Sequence, residues 1–298
     1  MELTLESVPN FSEGRDRETI DAIRDAIAAH ADVLDLHSDP DHNRSVFTVV
    51  AEESPLVEAL VAGVACALER IDLRSHVGAH PRIGAADVVP IVALDPEQRE
   101  RAGDCALSLA GRIGSELALP VFLYGDSAPG RGPAFYRRGG RQGLQRRIDG
   151  GEVQPDFGPT RLHPSAGGVI VGARRPLIAF NVNLATDDVE VARAIACVVR
   201  ERDGGFVGVR ALGLALPLAG RAQVSMNVED YEASALHEVV ERVEREARAR
   251  GVEIDGAELV GLIPAGAAAA AAGAMLRIDG FNASHVLELR LLGRSPRV

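Results

Sequence analysis

The stretch LIAFNVNLA, residues 177–185, alternates without a break. Ile178, Phe180, Val182 and Leu184 fall on one side, and Ala179, Asn181, Asn183 and Ala185 on the other. A period of two belongs to a strand with one apolar face. Downstream, the pattern predicts a helix over 187–203, strands over 206–216 and 221–228, a helix over 231–250 and a strand over 257–264. That order is β-α-β-β-α-β, the split β-α-β arrangement of ferredoxin-like folds. Upstream the same order recurs. A strand over 3–8 precedes a helix over 16–30, with Ile20, Ile23 and Ile27 at helical spacing. Strands over 33–37 and 45–51 follow, joined by a polar hairpin turn over 38–44. A helix then begins at Ser54-Pro55, read as N-cap and first helical residue, and runs to about Arg70. A strand over 88–94 completes the set, and a further helix (96–117) and strand (121–124) extend it. The expected class is therefore α/β (α+β). Two ferredoxin-like β-α-β-β-α-β subdomains, residues 1–176 and 177–298, would face each other across a cleft or tunnel. Asn181, Asn183, Ser225 and Asn227 would form a hydrogen-bonding floor there, or else face solvent or a subunit interface.

The whole-chain figures narrow the function classes. A chain of 298 residues with 46% hydrophobic and 25% charged residues has an ordinary globular composition. No segment reaches the roughly 18 uncharged apolar residues of a membrane span, and the acidic N-terminus lacks the basic start of a signal peptide. The expectation is a cytoplasmic protein with no membrane partner. A formal net charge of −11 argues against nucleic acid as a partner. All 32 basic residues are arginine, which removes Schiff-base and P-loop lysine chemistry. Cys66, Cys105 and Cys197 are far apart within helical patterns and read as buried thiols. Between 125 and 176 the sequence is irregular. It holds Arg131, Arg137, Arg138, Arg141, Arg146 and Arg147 without an intervening acid. Such a run is either a site for a small polyanion or a mobile solvated loop. The alanine run over 265–274 reads as a tightly packed helix.

Residues 76–90, HVGAHPRIGAADVVP, carry the densest chemistry. His80 precedes Pro81 and is held extended. Arg82 adds a planar donor fork, and Gly78 and Gly84 allow close backbone approach. A metallohydrolase would use His76, His80 and Asp87, but Gly78 and Pro81 oppose the helix that would align both histidines. A nucleophilic enzyme lacks its serine elbow or a cysteine beside the histidines. General acid–base group transfer needs only a positioned imidazole, anion-binding arginines and a dry cleft, and it fits best.

The chain resembles the formiminotransferase (glutamate formimidoyltransferase) family. The resemblance rests on VPNFSEGR (8–15), NRSVFT (43–48), GAHPRIGAADVVP (78–90), LYG (123–125), PDFGP (155–159), GARRPLIAFNVNL (172–184), AQVSMN (222–227) and ELVGLIP (258–264), in the family's order. It implies transfer of the formimino group from N-formimino-L-glutamate to tetrahydrofolate, a step of histidine degradation. The products would be 5-formiminotetrahydrofolate and L-glutamate. It also implies a homodimer, two α/β subdomains around an electropositive tunnel, and no metal. Because the sequence stops where the family's transferase part stops, a separate cyclodeaminase is expected to act on the product. The family's catalytic histidine falls on His80. Its folate-binding segment falls on Gly158, Pro159, Thr160, Arg161, Leu162, His163, Pro164, Ser165, Ala166 and Gly167. Arg44 and Arg82 are candidate carboxylate clamps, and the arginine run is a candidate contact for a polyglutamated folate tail. Ala166 stands where members often carry tryptophan, and a family aspartate would align on His37, with Asp39 two residues on. The alternatives are a related formyl-group transferase and a catalytically silent folate- or anion-binding protein on the same scaffold.

Overall fold

The computed structural model describes residues 4–292. Leu3, where the sequence begins the first strand, lies outside the described residues, as do both extreme ends of the two proposed subdomains. The chain divides into two compact units, Met1–Pro176 and Leu177–Val298.

Unit 1 begins with β1 (Leu5–Ser7) and β2 (Asn10–Phe11), followed by α1 (Arg17–Ala28). Asp16 caps α1 by accepting from the Glu18 amide, and Ile20, Ile23 and Ile27 are buried along one face. Next come β3 (Asp32–Asp39), β4 (Arg44–Ala51) and α2 (Glu53–Arg70). Here the structure corrects the expected helix start. Glu52, not Ser54, holds the N-cap position, and it makes no side-chain capping bond. Pro55 still sits in the first turn, where its missing N–H costs nothing because no helical acceptor precedes it. The chain continues through β5 (Ala86–Val92), α3 (Arg99–Glu116) and β6 (Val121–Gly125).

The irregular stretch from 125 to 176 is far from structureless. It contains α4 (Pro133–Arg137), α5 (Gly140–Asp149) and β7 (Val169–Arg174). Two glycines, Gly140 and Gly143, and a thin apolar pattern obscured α5, whose inward face consists of Gly143, Leu144 and Ile148. β7 shows only three consecutive apolar residues before Gly172, yet it pairs in parallel with β5 on one side and β6 on the other. The sheet of unit 1 has seven strands in the order β1-β4-β2-β5-β7-β6, with β3 on β4. Antiparallel β3, β4, β1/β2 and β5 keep the split β-α-β order, and parallel β7 and β6 extend it. A plain four-stranded ferredoxin-like sheet therefore does not describe unit 1.

Successive residues of the parallel strands enter two different cores. Val89, Ile91, Val121, Leu123, Val169 and Val171 join the cluster containing Ile23, Leu60 and Leu109 of α1, α2 and α3. Val88, Phe122, Tyr124 and Ile170 join Tyr136, Leu144 and Ile148 of α4 and α5. Alternation along a strand places these clusters on opposite faces. At this end the sheet is covered on both sides, which is why its strands read as short apolar runs rather than as alternation.

Unit 2 contains β8 (Ile178–Leu184), α6 (Val189–Val199), β9 (Val209–Leu216), β10 (Arg221–Val228), α7 (Leu236–Ala249), β11 (Ile254–Val260), α8 (Ala265–Leu276) and α9 (Leu287–Leu292). Its sheet order is β11-β8-β10-β9, antiparallel throughout. Ile178, Val182 and Leu184 pack with Ile195, Val239 and Val243 of α6 and α7. Asn181 and Asn183 lie on the opposite side, in register with Ser225 and Gln223. They are buried, not solvated. Asn183 donates to Glu258 (3.0 Å) and accepts from Gln223 (2.9 Å), whereas Asn227 is exposed at the edge of the row. The alanine run forms α8, as its composition predicts.

The cysteines divide three ways: Cys105 is buried, Cys66 half-buried and Cys197 exposed, so the buried-thiol expectation fails for Cys197. Among the described residues no helix is long and apolar enough to cross a membrane.

Ile23→Ala should lower stability by about 2–5 kcal/mol in urea titrations, because its side chain is completely buried in the core of unit 1. Leu34→Ala, at an exposed position of β3, should change it by less than about 0.5 kcal/mol.

Candidate functional site

The hairpin between β3 and β4 has four loop residues, 40–43, and Asn43 adopts a left-handed backbone (φ 46°). Hairpin tips usually point into water, but Asp41, His42, Asn43 and Arg44 are all buried. Two contacts explain this placement. Asn43 accepts from the Gly14 amide (2.9 Å) and donates to the Val77 carbonyl (3.1 Å), tying the hairpin to both the first turn and the 76–85 loop. Ser12 binds the same loop through the Gly84 and Ala85 carbonyls, each at 2.7 Å.

Arg82 serves this junction and not a free ligand-binding face. Its guanidinium donates to the carbonyls of His42 (2.5 Å), Asn43 (2.7 Å) and His80 (2.9 and 3.1 Å). With four N–H···O contacts made to backbone, little of the fork remains for a substrate carboxylate. His76 lies 3.2 Å from the same guanidinium. Burial, with Arg82 adding to it, pushes the His76 imidazole down to about 4.

Asp87, on β5, is completely buried and is the centre of the cluster. One of its oxygens accepts from the Ile83 amide (2.7 Å). The other accepts from Arg44 (2.8 Å) and from Arg137 (2.6 Å). Burial alone would raise this carboxyl, but Arg137 and Arg44 outweigh it and hold it below the usual carboxylate range. Arg44 is itself buried, which draws its guanidinium down to about 9 despite Asp87, with Arg137 and Arg82 adding repulsion. Its remaining groups reach the Asn10 side chain (2.9 Å) and Nδ1 of His80 (2.6 Å). The structure thus unites His80 with Arg44, and separates Arg82 from them in role.

Nδ1 of His80 also lies 2.8 Å from the Pro81 carbonyl. Burial, then Arg44 and Arg137, push this imidazole well below its ordinary range, so it is neutral at physiological pH. That differs from an imidazole titrating near neutrality. The three residues of the metallohydrolase alternative do not converge as ligands. Asp87 carries two guanidinium groups, and Nδ1 of His80 faces one of them, an arrangement that repels a cation.

The arginine run breaks up along α4 and α5. Arg137 turns to Asp87, and Arg147 lies over the Phe135 ring (4.4 Å) and on Glu152 (2.9 Å). Arg138 also pairs with Glu152, at 2.6 Å. Arg146 is exposed, Arg131 is 3.6 Å from Asp156, and Arg141 reaches the Ser165 carbonyl at 3.4 Å. The mobile-loop expectation gives way to two short helices, α4 and α5, along which the arginines have divided duties. Arg137 was visible in the sequence only as one arginine among six.

The end of the segment 158–167 packs directly on the loop that carries His80, whereas Gly158 at its start lies against Leu119 and Gly114. His163 and Gly167 exchange backbone hydrogen bonds (2.8 and 2.9 Å), and Nδ1 of His163 accepts from the Ala166 amide (3.1 Å). The Leu162 amide donates to Gln145 of α5 (2.9 Å). Ala85 donates to the Ala166 carbonyl (2.8 Å) and Gly168 to the Ile83 carbonyl (3.1 Å). Gly84 must be glycine here, since a Cβ would strike the Gly168 carbonyl. Gly158, Pro159, Thr160 and Arg161 are exposed, Pro164 likewise, and Ala166 and Gly167 are buried.

Two family models match the chain: the formiminotransferase domain, N-terminal subdomain, over residues 4–174, and the formiminotransferase domain over residues 179–283. A protein of Thermoplasma acidophilum named glutamate formimidoyltransferase is 40% identical over 294 residues, covering 96% of this chain and 97% of that one. A protein of the same name from Streptococcus pyogenes serotype M1 is 40% identical over 295 residues, covering 97% and 99%. The formimidoyltransferase-cyclodeaminase of Rattus norvegicus is 39% identical over 276 residues, which are 89% of this chain and 51% of the rat protein.

Two outcomes follow from the site's electrostatics. Asp87→Ala should destabilise the protein by about 3–5 kcal/mol in urea, because it leaves Arg44 buried without its counter-charge. The histidines set a pH dependence. His76 and His80 are held neutral when folded but accept a proton near pH 6.5 when unfolded, so the unfolded state binds more protons below that pH. The stability present above about pH 6.5 is therefore lost as pH falls toward 4. Thermal melts across that range should show this slope, and it should flatten in His80→Gln.

Proposed function

The chain belongs to the formiminotransferase family, and from that premise we propose that it is a glutamate formimidoyltransferase. It moves the formimino group of N-formimino-L-glutamate to tetrahydrofolate, giving 5-formiminotetrahydrofolate and L-glutamate. The observation that carries the reading is His80, a neutral imidazole set in a cluster where Arg44 and Arg137 bear on one buried carboxylate, Asp87. Positive surroundings suit a dicarboxylate donor and an anionic folate, and a neutral imidazole suits a reaction that must move a proton between two nitrogens.

In this mechanism N5 of tetrahydrofolate attacks the formimino carbon and a tetrahedral intermediate forms. His80 takes the proton from N5 and delivers it to the glutamate nitrogen, whose bond to carbon then breaks. Because its surroundings disfavour imidazolium, His80 passes the proton on readily and returns neutral. Arg44 is the carboxylate clamp in this reading, while Arg82 holds the His80 loop in place. The segment Gly158 to Gly167 binds folate, supported by its packing against residues 83–85. Arg141, close to that segment, and exposed Arg146 would meet a polyglutamate tail. The reaction needs no metal in this scheme, and the enzyme acts as a cytoplasmic homodimer.

Single-turnover transfer tests the proposal. Purified protein, tetrahydrofolate and N-formimino-L-glutamate should yield 5-formiminotetrahydrofolate, and His80→Ala should slow its appearance by about 10²–10⁴-fold while folate still binds. Product from N-formyl-L-glutamate alone would move the assignment to a formyl transferase. No product from either donor, with folate bound, would mean a silent binding protein.

A further inference from the structure

A contradiction sits at Nδ1 of His80. An arginine N–H only donates, so Arg44 at 2.6 Å requires Nδ1 to accept and places the ring proton on Nε2. The Pro81 carbonyl only accepts, so its contact at 2.8 Å requires the proton on Nδ1. A neutral imidazole satisfies one of these partners at a time. The Arg44 bond carries a charge and is the shorter, so it prevails in the free protein. Yet that arrangement occupies both nitrogens, Nδ1 with Arg44 and Nε2 with a proton, and leaves no lone pair for a base. A second observation bears on the same place. The Nε of Arg137 is buried and has no hydrogen-bonding partner, although its Nη2 is held 2.6 Å from Asp87. A buried guanidinium donor without an acceptor is costly unless a ligand supplies one.

We infer that Arg44 and Arg137, both anchored on Asp87, form a carboxylate subsite whose filling switches the His80 proton from Nε2 to Nδ1 and so creates the base. A substrate carboxylate accepts from the Arg44 Nη1 group and the Arg137 Nε group. Nδ1, released from Arg44, then takes a proton and donates it in a hydrogen bond to the Pro81 carbonyl. Nε2 loses its proton to solvent in the same exchange, so the ring stays neutral and gains a lone pair on the side away from Pro81. Asp87 is a positioning residue here, since it touches neither substrate nor imidazole and acts by fixing both guanidinium groups. The inference rests on the transferase reading for the identity of the carboxylate, which is glutamate. It adds that the donor's own charge arms the histidine, so that the base forms only when a donor is present.

Histidine labelled with nitrogen-15 in the full chain tests this, because the two neutral tautomers give distinct long-range N–H correlations. The His80 signals are identified by their loss in His80→Ala. The free protein should show the proton on Nε2, and titration with L-glutamate should move it to Nδ1. Arg137→Gln should keep the free-state tautomer and weaken L-glutamate binding about tenfold or more by calorimetry. Arg44→Gln should show the Nδ1–H form without glutamate; should that variant fail to fold, the wild-type titration decides alone. A proton already on Nδ1 in the free protein overturns the inference. So does calorimetric saturation with L-glutamate that leaves the tautomer unchanged, and so does a failure of L-glutamate to bind. The transfer assay is independent of these spectra. A tautomer that moves in a protein making no product would sink the transferase reading and leave the switch standing, and product formation without tautomer movement would do the reverse.

Discussion

A single buried carboxylate organises unit 1. Asp87 emerges from β5 with no solvent to stabilise its charge, and its two oxygens are satisfied by the Ile83 amide and by two guanidinium groups. An ionised group in that position would be strongly destabilising alone. Its partners therefore come from three separate parts of the chain: the loop before β5, the start of β4, and the end of α4. Each partner carries a structural consequence. The Ile83 bond closes the turn that presents His80, Arg44 draws in the buried hairpin tip, and Arg137 fastens the α4–α5 layer over the far face of the sheet.

The loops around this centre are mutually dependent because their backbones touch. Arg82 satisfies carbonyls of the hairpin, Ser12 satisfies carbonyls of the His80 loop, and Gly84 lets residues 166–168 lie flat against that loop. Buried backbone polar groups must find partners, and here they find them in one another instead of in water. The outcome is a rigid setting for an imidazole that stays neutral, with the Arg44 guanidinium against its Nδ1. Unit 2 is simpler. Its amide row, Asn183 with Gln223 and Glu258, is a hydrogen-bonded chain on the sheet face opposite its helices.

Legibility followed the number of residues that carried each signal. Ile20, Ile23 and Ile27, or Ile178 through Leu184, repeat their message several times within one element, and these elements stand where periodicity puts them. β7 carried the message in three residues, and α5 carried it in Leu144 and Ile148 among glycines and arginines. Both are stabilised by neighbours distant in sequence: β7 by strands on either side, and α5 by Phe122 and Ile170. The helix start at Ser54-Pro55 failed for a similar reason, since a cap signal two residues long is easily shifted by packing.

The sequence by itself determined the α/β class, the β-α-β-β-α-β order of each half, and, through motifs spread along nearly its whole length, the formiminotransferase family with His80 as the residue to watch. Those are properties of local periodicity and of residue types in order. Tertiary structure alone decided that Arg44 meets the His80 imidazole while Arg82 meets only its backbone, that Arg137 is the arginine of its run that pairs with Asp87, and that Asp87 holds both Arg44 and Arg137. Arginines are alike in sequence. What distinguishes them is which acceptor lies within about 3 Å, and that depends on positions 43 and 50 residues away being folded onto one carboxylate.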